Sequence, residues 1–231
     1  MPVSTRSSTT NQFLPPSFSS GFLRILASLL TRSCNANLKS RLDRVDVPIF
    51  VTTPDLLQYI PGEWLPLVID IEFWNSIDEQ PNKEVPAVLH MPTNSKLKGS
   101  QQIDSELMKL ESTGKIKYIR PEKKMSASLV PSLIEKSDIV IDGIAIGAYG
   151  VTSCQAMAAR RIVIGNTNEL GKISSECPIL HSDPAIISSV IHDLIDSRNA
   201  WESLGEAGYR FTNKYHNGSL TASKLSRFLD S

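Results

Sequence analysis

Three glycines, Gly143, Gly147 and Gly150, punctuate the stretch SDIVIDGIAIGAYGVTSCQAMAARRIVIGN (137–166). An apolar strand pattern (Ile139–Asp142) leads into the glycines, a helix start follows (Val151–Ala159), and a second apolar strand covers Ile162–Ile164. A loop with few bulky side chains that runs into a helix N-terminus offers unpaired N–H groups and the positive end of the helix dipole. That is the chemistry of an anion site, above all a phosphate site. In AYGVTS (148–153) the amides of Gly150 and Val151 would face the anion, and Thr152 or Ser153 would add a hydroxyl donor. The alternative is a structural turn closed by glycine, with one of those hydroxyls as the helix N-cap. Such a loop is specific for an anion and not for a reaction.

A second basic loop bears on the same chemistry. Met91–Gly99 (MPTNSKLKG) follows the strand pattern Val85–His90 and ends in glycine. Lys98, beside Gly99, would reach a pyrophosphate held at the neighbouring loop, with Lys96 as a weaker second; two solvated lysines are the alternative. Gln155, one turn into the helix, would face the cleft and bond a ribose or sugar hydroxyl, or simply lie exposed. Cys154, Ala156 and Met157 pack the helix on the sheet, and Cys154 has no neighbouring histidine to activate it as a nucleophile. His90 reads as a structural histidine or one pointing into the cleft. His181, His192 and His216 show no metal-ligand spacing, and with no HExxH, DxD or Cys/His cluster no metal is expected.

The elements that must hold these loops follow from apolar periodicity. Val47–Thr52 is a strand pattern, and Thr53-Pro54-Asp55 opens a short helix over Leu56–Ile60, with Thr53 as N-cap and Pro54 at N1. Leu65–Ile71 is a second extended run, and Asn75–Glu84 reads as a linker. Beyond Val85, Ile103, Leu107 and Leu110 mark a helix face, Ile116–Ile119 a strand, and Leu129, Leu133 and Ile134 a short helix. Pro184–Ser197 is amphipathic through Ile187, Ile191 and Leu194; Trp201, Leu204 and Phe211 mark another helix and Leu220–Leu229 a last one. Strands alternating with helices predict an α/β fold, a Rossmann-like doubly wound parallel sheet. Ligands of such sheets sit outside the C-terminal strand ends, where both loops belong.

Bulk properties exclude some classes. With 24 basic and 24 acidic residues the net charge is zero, which gives no support for nucleic-acid binding or an acidic membrane surface. No apolar run reaches the roughly 18 residues of a membrane span. Cys34, Cys154 and Cys177 are widely spaced and read as free or buried thiols. Residues 1–20 are rich in Ser, Thr and Pro, and 21–30 form a short apolar patch. This start reads as disordered or poorly packed, with a targeting leader as the alternative.

In order, VLHMPTNSKLKG, SDIVIDGIAIGAYGVTSCQAMAARRIVIG and LGEAGYRFTNKYH resemble the nucleotide-sugar half of retaining GT-B-fold glycosyltransferases (group 1). VPIFVTTPDLLQYIPGEWLPLVID is similar to the end of the preceding half, so the resemblance covers about residues 42–218. It implies a remnant of the acceptor-binding domain with its linker (42–84), a nucleotide-sugar-binding domain (85–200) and C-terminal helices (201–231), behind the disordered or poorly packed leader (1–41) that composition suggests. It implies that Lys98 contacts the donor diphosphate, catalytically and with Gly99 beside it, and that Asn94 lines the cleft. Tyr149, Gly150, Val151 and Thr152 would surround the diphosphate, and Gln155 would bond the ribose. The implied reaction is cytoplasmic transfer of a sugar from a nucleotide diphosphate with retention, with no metal or other cofactor. A partner chain would supply the missing acceptor domain. Gly147 and Gln155 stand where the family carries a pair of glutamates, and Ser95 where it often has arginine. A non-catalytic nucleotide-sugar-binding module is therefore the second reading.

Overall fold

The computed structural model describes residues 40–42, 44, 47–77, 83–91, 100–121, 126–144, 147–173 and 175–229. The chain divides into two compact units, 1–46 and 47–231. In the first, a helical turn at 40–42 and Arg44 are the described residues; the expectations for 1–30 lie outside them.

The second unit opens with two short strands, β1 (Phe50–Val51) and β2 (Glu63–Trp64), paired in parallel around a 3-10 helix at Pro54–Gln58. Thr53 takes the N-cap position, but without a side-chain hydrogen bond, and Pro54 opens the turn. The extended run expected over Leu65–Ile71 makes no ladder. Ile71 instead starts helix α1 (Ile71–Asn75), because the Asp70 carboxylate accepts the Phe73 amide at 3.0 Å and caps it.

The main sheet has five parallel strands: β3 (Ala87–His90), β4 (Lys117–Ile119), β5 (Ile139–Ile141), β6 (Ile162–Gly165) and β7 (Leu180–His181). Their spatial order is β4-β3-β5-β6-β7. The two-residue β7 was not expected. Strand alternation sends Val88, Ile139, Ile141, Ile162 and Ile164 to one face and Leu89, Val140 and Val163 to the other, each in its own core. Helices α2 (Ser100–Ser112) and α5 (Ile187–Asp196) cover the first face through Ile103, Leu107, Ile187 and Ile191. Helix α3 (Val130–Glu135) and helix α4 (Val151–Ala158) contribute Ile134, Cys154 and Met157 to the second, joined by Phe211 of α6 (Trp201–Tyr215). The expected doubly wound α/β sheet is present.

Two glycines let α6 approach α4: a Cβ on Gly205 would stand 2.6 Å from the Arg160 carbonyl oxygen, and one on Gly208 3.3 Å from Met157 Cβ. Helix α7 (Ser219–Leu229) then returns to the start of the unit. Thr221 Oγ1 donates to the Pro66 carbonyl at 2.6 Å and Lys224 Nζ to the Trp64 carbonyl at 2.7 Å. Among the described residues no helix is long and apolar enough to cross a membrane.

Two buried charges hold the sheet's entry side. The Asp138 carboxylate accepts the Ala87 amide at 2.7 Å and faces Lys83 Nζ at 3.8 Å, tying the start of β5 to β3. Arg161, 1% exposed, donates through Nε to the Ile134 carbonyl at 3.0 Å and through Nη2 to that of Glu135 at 3.4 Å. The Ile134 carbonyl also accepts the Ser137 amide and hydroxyl, so Arg161 reinforces the end of α3 beside them. Arg161→Ala should cost about 3 kcal/mol, from lost charged hydrogen bonds and an emptied buried site. A lower urea midpoint with an unchanged slope would verify it.

Candidate functional site

All strands of the sheet run in parallel, so His90, Asp142 and Gly165 mark one common edge where the loops leave. Asn94, Lys98 and Gly99 of the lysine loop lie outside the described residues. The glycine loop after β5 is described except at residues 145 and 146.

Its three glycines have different causes. Gly143 has φ +70°, and a Cβ there would overlap the Ala148 carbonyl oxygen. Gly147 has φ +80°, and a Cβ would meet Glu169 Cγ at 2.5 Å. Both are imposed by the fold. Gly150 is extended (φ −123°), and among the described residues a Cβ would meet only Asp142 Oδ2 at 3.7 Å, an ordinary contact. Nothing among the described residues demands glycine at 150; close approach of a ligand to the main chain would.

Gly150 is also the N-cap of α4 and, having no side chain, offers the first-turn amides no acceptor. The alternative in which Thr152 or Ser153 caps the helix is therefore corrected. Ser153 is buried and its hydroxyl donates to Asp142 Oδ2 at 2.8 Å. Thr152 is half-buried, Gln155 half-buried one turn on, and Val151 at the first helical position is 51% exposed. The structure thus brings Gly150, Val151, Thr152 and Gln155 together at one helix end.

Tyr149 departs from its expected place at the ligand. Its side chain is buried, packs edge-on against Phe211 and bonds His216 Nε2 at 3.1 Å. Only its main chain remains for the loop mouth. His216 is fully buried, with Nδ1 2.8 Å from the Leu67 carbonyl. A carbonyl can only accept, so Nδ1 carries the proton and Nε2 accepts the Tyr149 hydroxyl. His90, the other residue expected to be structural or cleft-facing, is 1% exposed with Nδ1 3.2 Å from the Ile141 carbonyl, a core histidine. Burial pushes the Cys154 thiol well up, as befits a packing residue.

Burial holds the imidazoles of His216 and His90 below the ordinary 6.5. On acidification the unfolded chain takes up these protons first. Stability should be complete above about pH 6.5 and decline as the pH falls below it. Unfolding midpoints between roughly pH 7.5 and 5 would show this slope, above the range where carboxylates titrate. His216→Gln should flatten part of it.

Sequence reasoning missed a cavity beside this loop. About 600 Å3 in volume, it lies between Leu57, Gln58 and Trp64 on one wall and Glu169, Leu170 and Ile173 on the other. The second wall is fastened to the glycine loop, since the Glu169 amide donates to the Gly147 carbonyl at 2.9 Å. Among the described residues no cluster of three His, Cys, Asp or Glu side chains could hold a metal.

No protein-family model and no curated protein matches this sequence. Solved structures do. HepE from Anabaena, in complex with UDP and glucose, superposes with a TM-score of 0.62 at 12% identity over 85% of this chain and 67% of its own. A glycosyltransferase from Rickettsia africae gives 0.58 at 12% identity, over 86% of this chain and 66% of its own. Sucrose-phosphate synthase from Thermosynechococcus elongatus gives 0.59 at 12% identity, over 86% and 61%. The chain spans about two thirds of the length of these proteins or less, and its fold is the one they share, that of GT-B glycosyltransferases.

Proposed function

We propose that the chain binds a nucleotide-diphosphate sugar and serves its transfer, with retention, to an acceptor. The observation that carries this is the start of α4, whose N-cap Gly150 brings no side-chain acceptor and where, among the described residues, no steric demand calls for glycine. Similar structures were solved with UDP, UDP-glucose or UDP and glucose, which supports a nucleotide sugar as the ligand. In this reading the amides of Gly150 and Val151 and the Thr152 hydroxyl take the diphosphate, with the Tyr149 main chain beside them. Lys98, with Gly99 and Asn94 in its loop, adds the ammonium that offsets charge on the leaving diphosphate. Gln155 bonds the ribose. Residues 85–200 are then the donor domain, and 42–84 belong to the acceptor side and the link between the two; the cytoplasm, where nucleotide sugars are made, is the proposed compartment.

A second reading, a binding module without catalysis, is favoured by Gly147. Its φ of +80° and the Glu169 side chain above it leave no room for the glutamate of the resembled family. Thermal unfolding with UDP, GDP and their glucose conjugates tests the donor site: a rise in melting temperature, lost in Lys98→Ala, supports it. No shift with any of them refutes it. Slow release of free sugar from the bound conjugate separates enzyme from binder.

A further inference from the structure

Three stretches that lie far apart in the chain meet at one imidazole. His216 closes α6: its amide donates to the Thr212 carbonyl at 2.7 Å, and its carbonyl accepts the Ile69 amide at 2.8 Å. Its ring holds the Leu67 carbonyl through Nδ1 and the Tyr149 hydroxyl through Nε2. Trp64, Tyr149 and Phe211 box it in, with ring centroids 5.6–6.1 Å away. The run 65–69, which follows β2, is thereby tied to the last residues of the glycine loop through a single side chain.

This joint is complete in one protonation state. A neutral ring donates from Nδ1 and accepts at Nε2, which matches a carbonyl on one side and a hydroxyl on the other. A proton at Nε2 makes that nitrogen a donor as well. The Tyr149 oxygen must then accept, and its own hydrogen needs another place. Among the described residues the hydroxyl has no second partner. Nor does it shed that hydrogen: burial first, then Cys154, Cys177, Tyr215 and Asp55 around it, push the phenol well above its ordinary range. Both rings are buried, so a charged imidazole facing a mismatched hydroxyl is costly there. Charges on the neighbouring elements are engaged with one another: Glu176 with Lys214 and Tyr215, Glu206 with Arg160 and Arg210, and Glu63 of β2 with Lys224 of α7. Asp55 of the 3-10 turn, whose buried Oδ1 has no partner among the described residues, stands on the Tyr149 side.

From this geometry we infer that Tyr149 and His216 form a proton-sensitive latch, with His216 as a positioning residue for the anion site at the start of α4. Tyr149 immediately precedes Gly150, the N-cap of that helix, so its hydroxyl fixes the main chain that aims the Gly150 and Val151 amides. With the ring neutral the turn is held and the amides converge on the ligand. With the ring charged the phenol is released, and the turn and residues 67–69 loosen together. Anion binding and proton uptake at His216 therefore oppose each other, each weakening the other by the same factor. The ligand is a nucleotide diphosphate, and in that respect the regulation rests on the donor reading. The mechanical link between the turn and residues 67–69 does not.

Two measurements on the full chain test the latch. UDP-glucose is the binding probe, because UDP itself ends in a phosphate monoester that titrates near about pH 6. Affinity for UDP-glucose should be flat above about pH 6.5 and, in chain still folded by circular dichroism, fall at lower pH with a limiting slope of about tenfold per pH unit. His216→Gln, whose amide does not take up the proton, should remove that slope. Tyr149→Phe keeps the ring packing and cuts the link, so it should remove the slope too; it carries the same test should the glutamine variant not fold. Hydrogen exchange without ligand reads the link itself. At roughly pH 7.5, Tyr149→Phe should speed exchange about fivefold or more at 148–153 and also at 67–69, which it does not alter. A slope that persists in either variant overturns the inference, as does equal affinity across the range in folded chain, or faster exchange at 148–153 alone. Absence of UDP-glucose binding at every pH refutes the donor reading, and the exchange result then decides the latch by itself.

Discussion

Val151→Glu should leave the protein as stable as before, or slightly more so, while lowering its affinity for UDP about a hundredfold. The side chain at 151 is 51% exposed and no acidic residue occupies the first turn of α4. A carboxylate there meets the positive helix end and should add about 0.3–1 kcal/mol of stability. The same charge would stand within about 5 Å of a diphosphate held by the first amides, where repulsion of roughly 3 kcal/mol follows at an effective dielectric near 20. Val151→Lys should do the reverse on both counts. Opposite signs of stability and binding are what an anion site requires; a helix end that merely happens to be open would change stability alone. Calorimetric titration with UDP beside thermal unfolding reads both quantities.

The largest loss of stability within the loop is expected from Gly143→Ala. A non-glycine residue at φ +70° is strained, and here its Cβ would also drive into the Ala148 carbonyl oxygen, which the main chain cannot move aside cheaply. Strain and overpacking together should cost about 2–5 kcal/mol, or roughly 5–15 °C in melting temperature for a domain of this size. Gly150→Ala, with its Cβ 3.7 Å from Asp142 Oδ2, should cost little and show its effect on UDP instead. Two glycines seven residues apart thus separate folding from binding by substitution of the same kind.

What could be read from the amino-acid order was local. Ile139–Asp142, the glycines and Ile162–Ile164 carry their strand–loop–helix–strand character in consecutive residues, and the structure keeps each element within a residue or two of its expected span. Helix α1 escaped because its five residues, Ile71–Asn75, are too few to show a period, and the Asp70 cap that starts it is a single side chain. Strand β7 escaped because two residues carry no periodicity. Tyr149 was misplaced for a different reason: its partner His216 is 67 positions away, so nothing nearby tells that the ring turns inward. The cavity was invisible for the same reason, since the residues that face each other across it, Gln58 and Glu169, are 111 positions apart.

The buried imidazole at 216 also has a fixed tautomer, since Leu67 and Tyr149 take opposite roles at its two nitrogens. Its ring nitrogens should give two well-separated 15N resonances, one of pyrrole and one of pyridine type. Because the hydroxyl that bonds it belongs to the residue just before Gly150, that spectrum is an intrinsic gauge of loop integrity. Collapse of the pair toward a common averaged position would register loosening of the turn without any label placed near it.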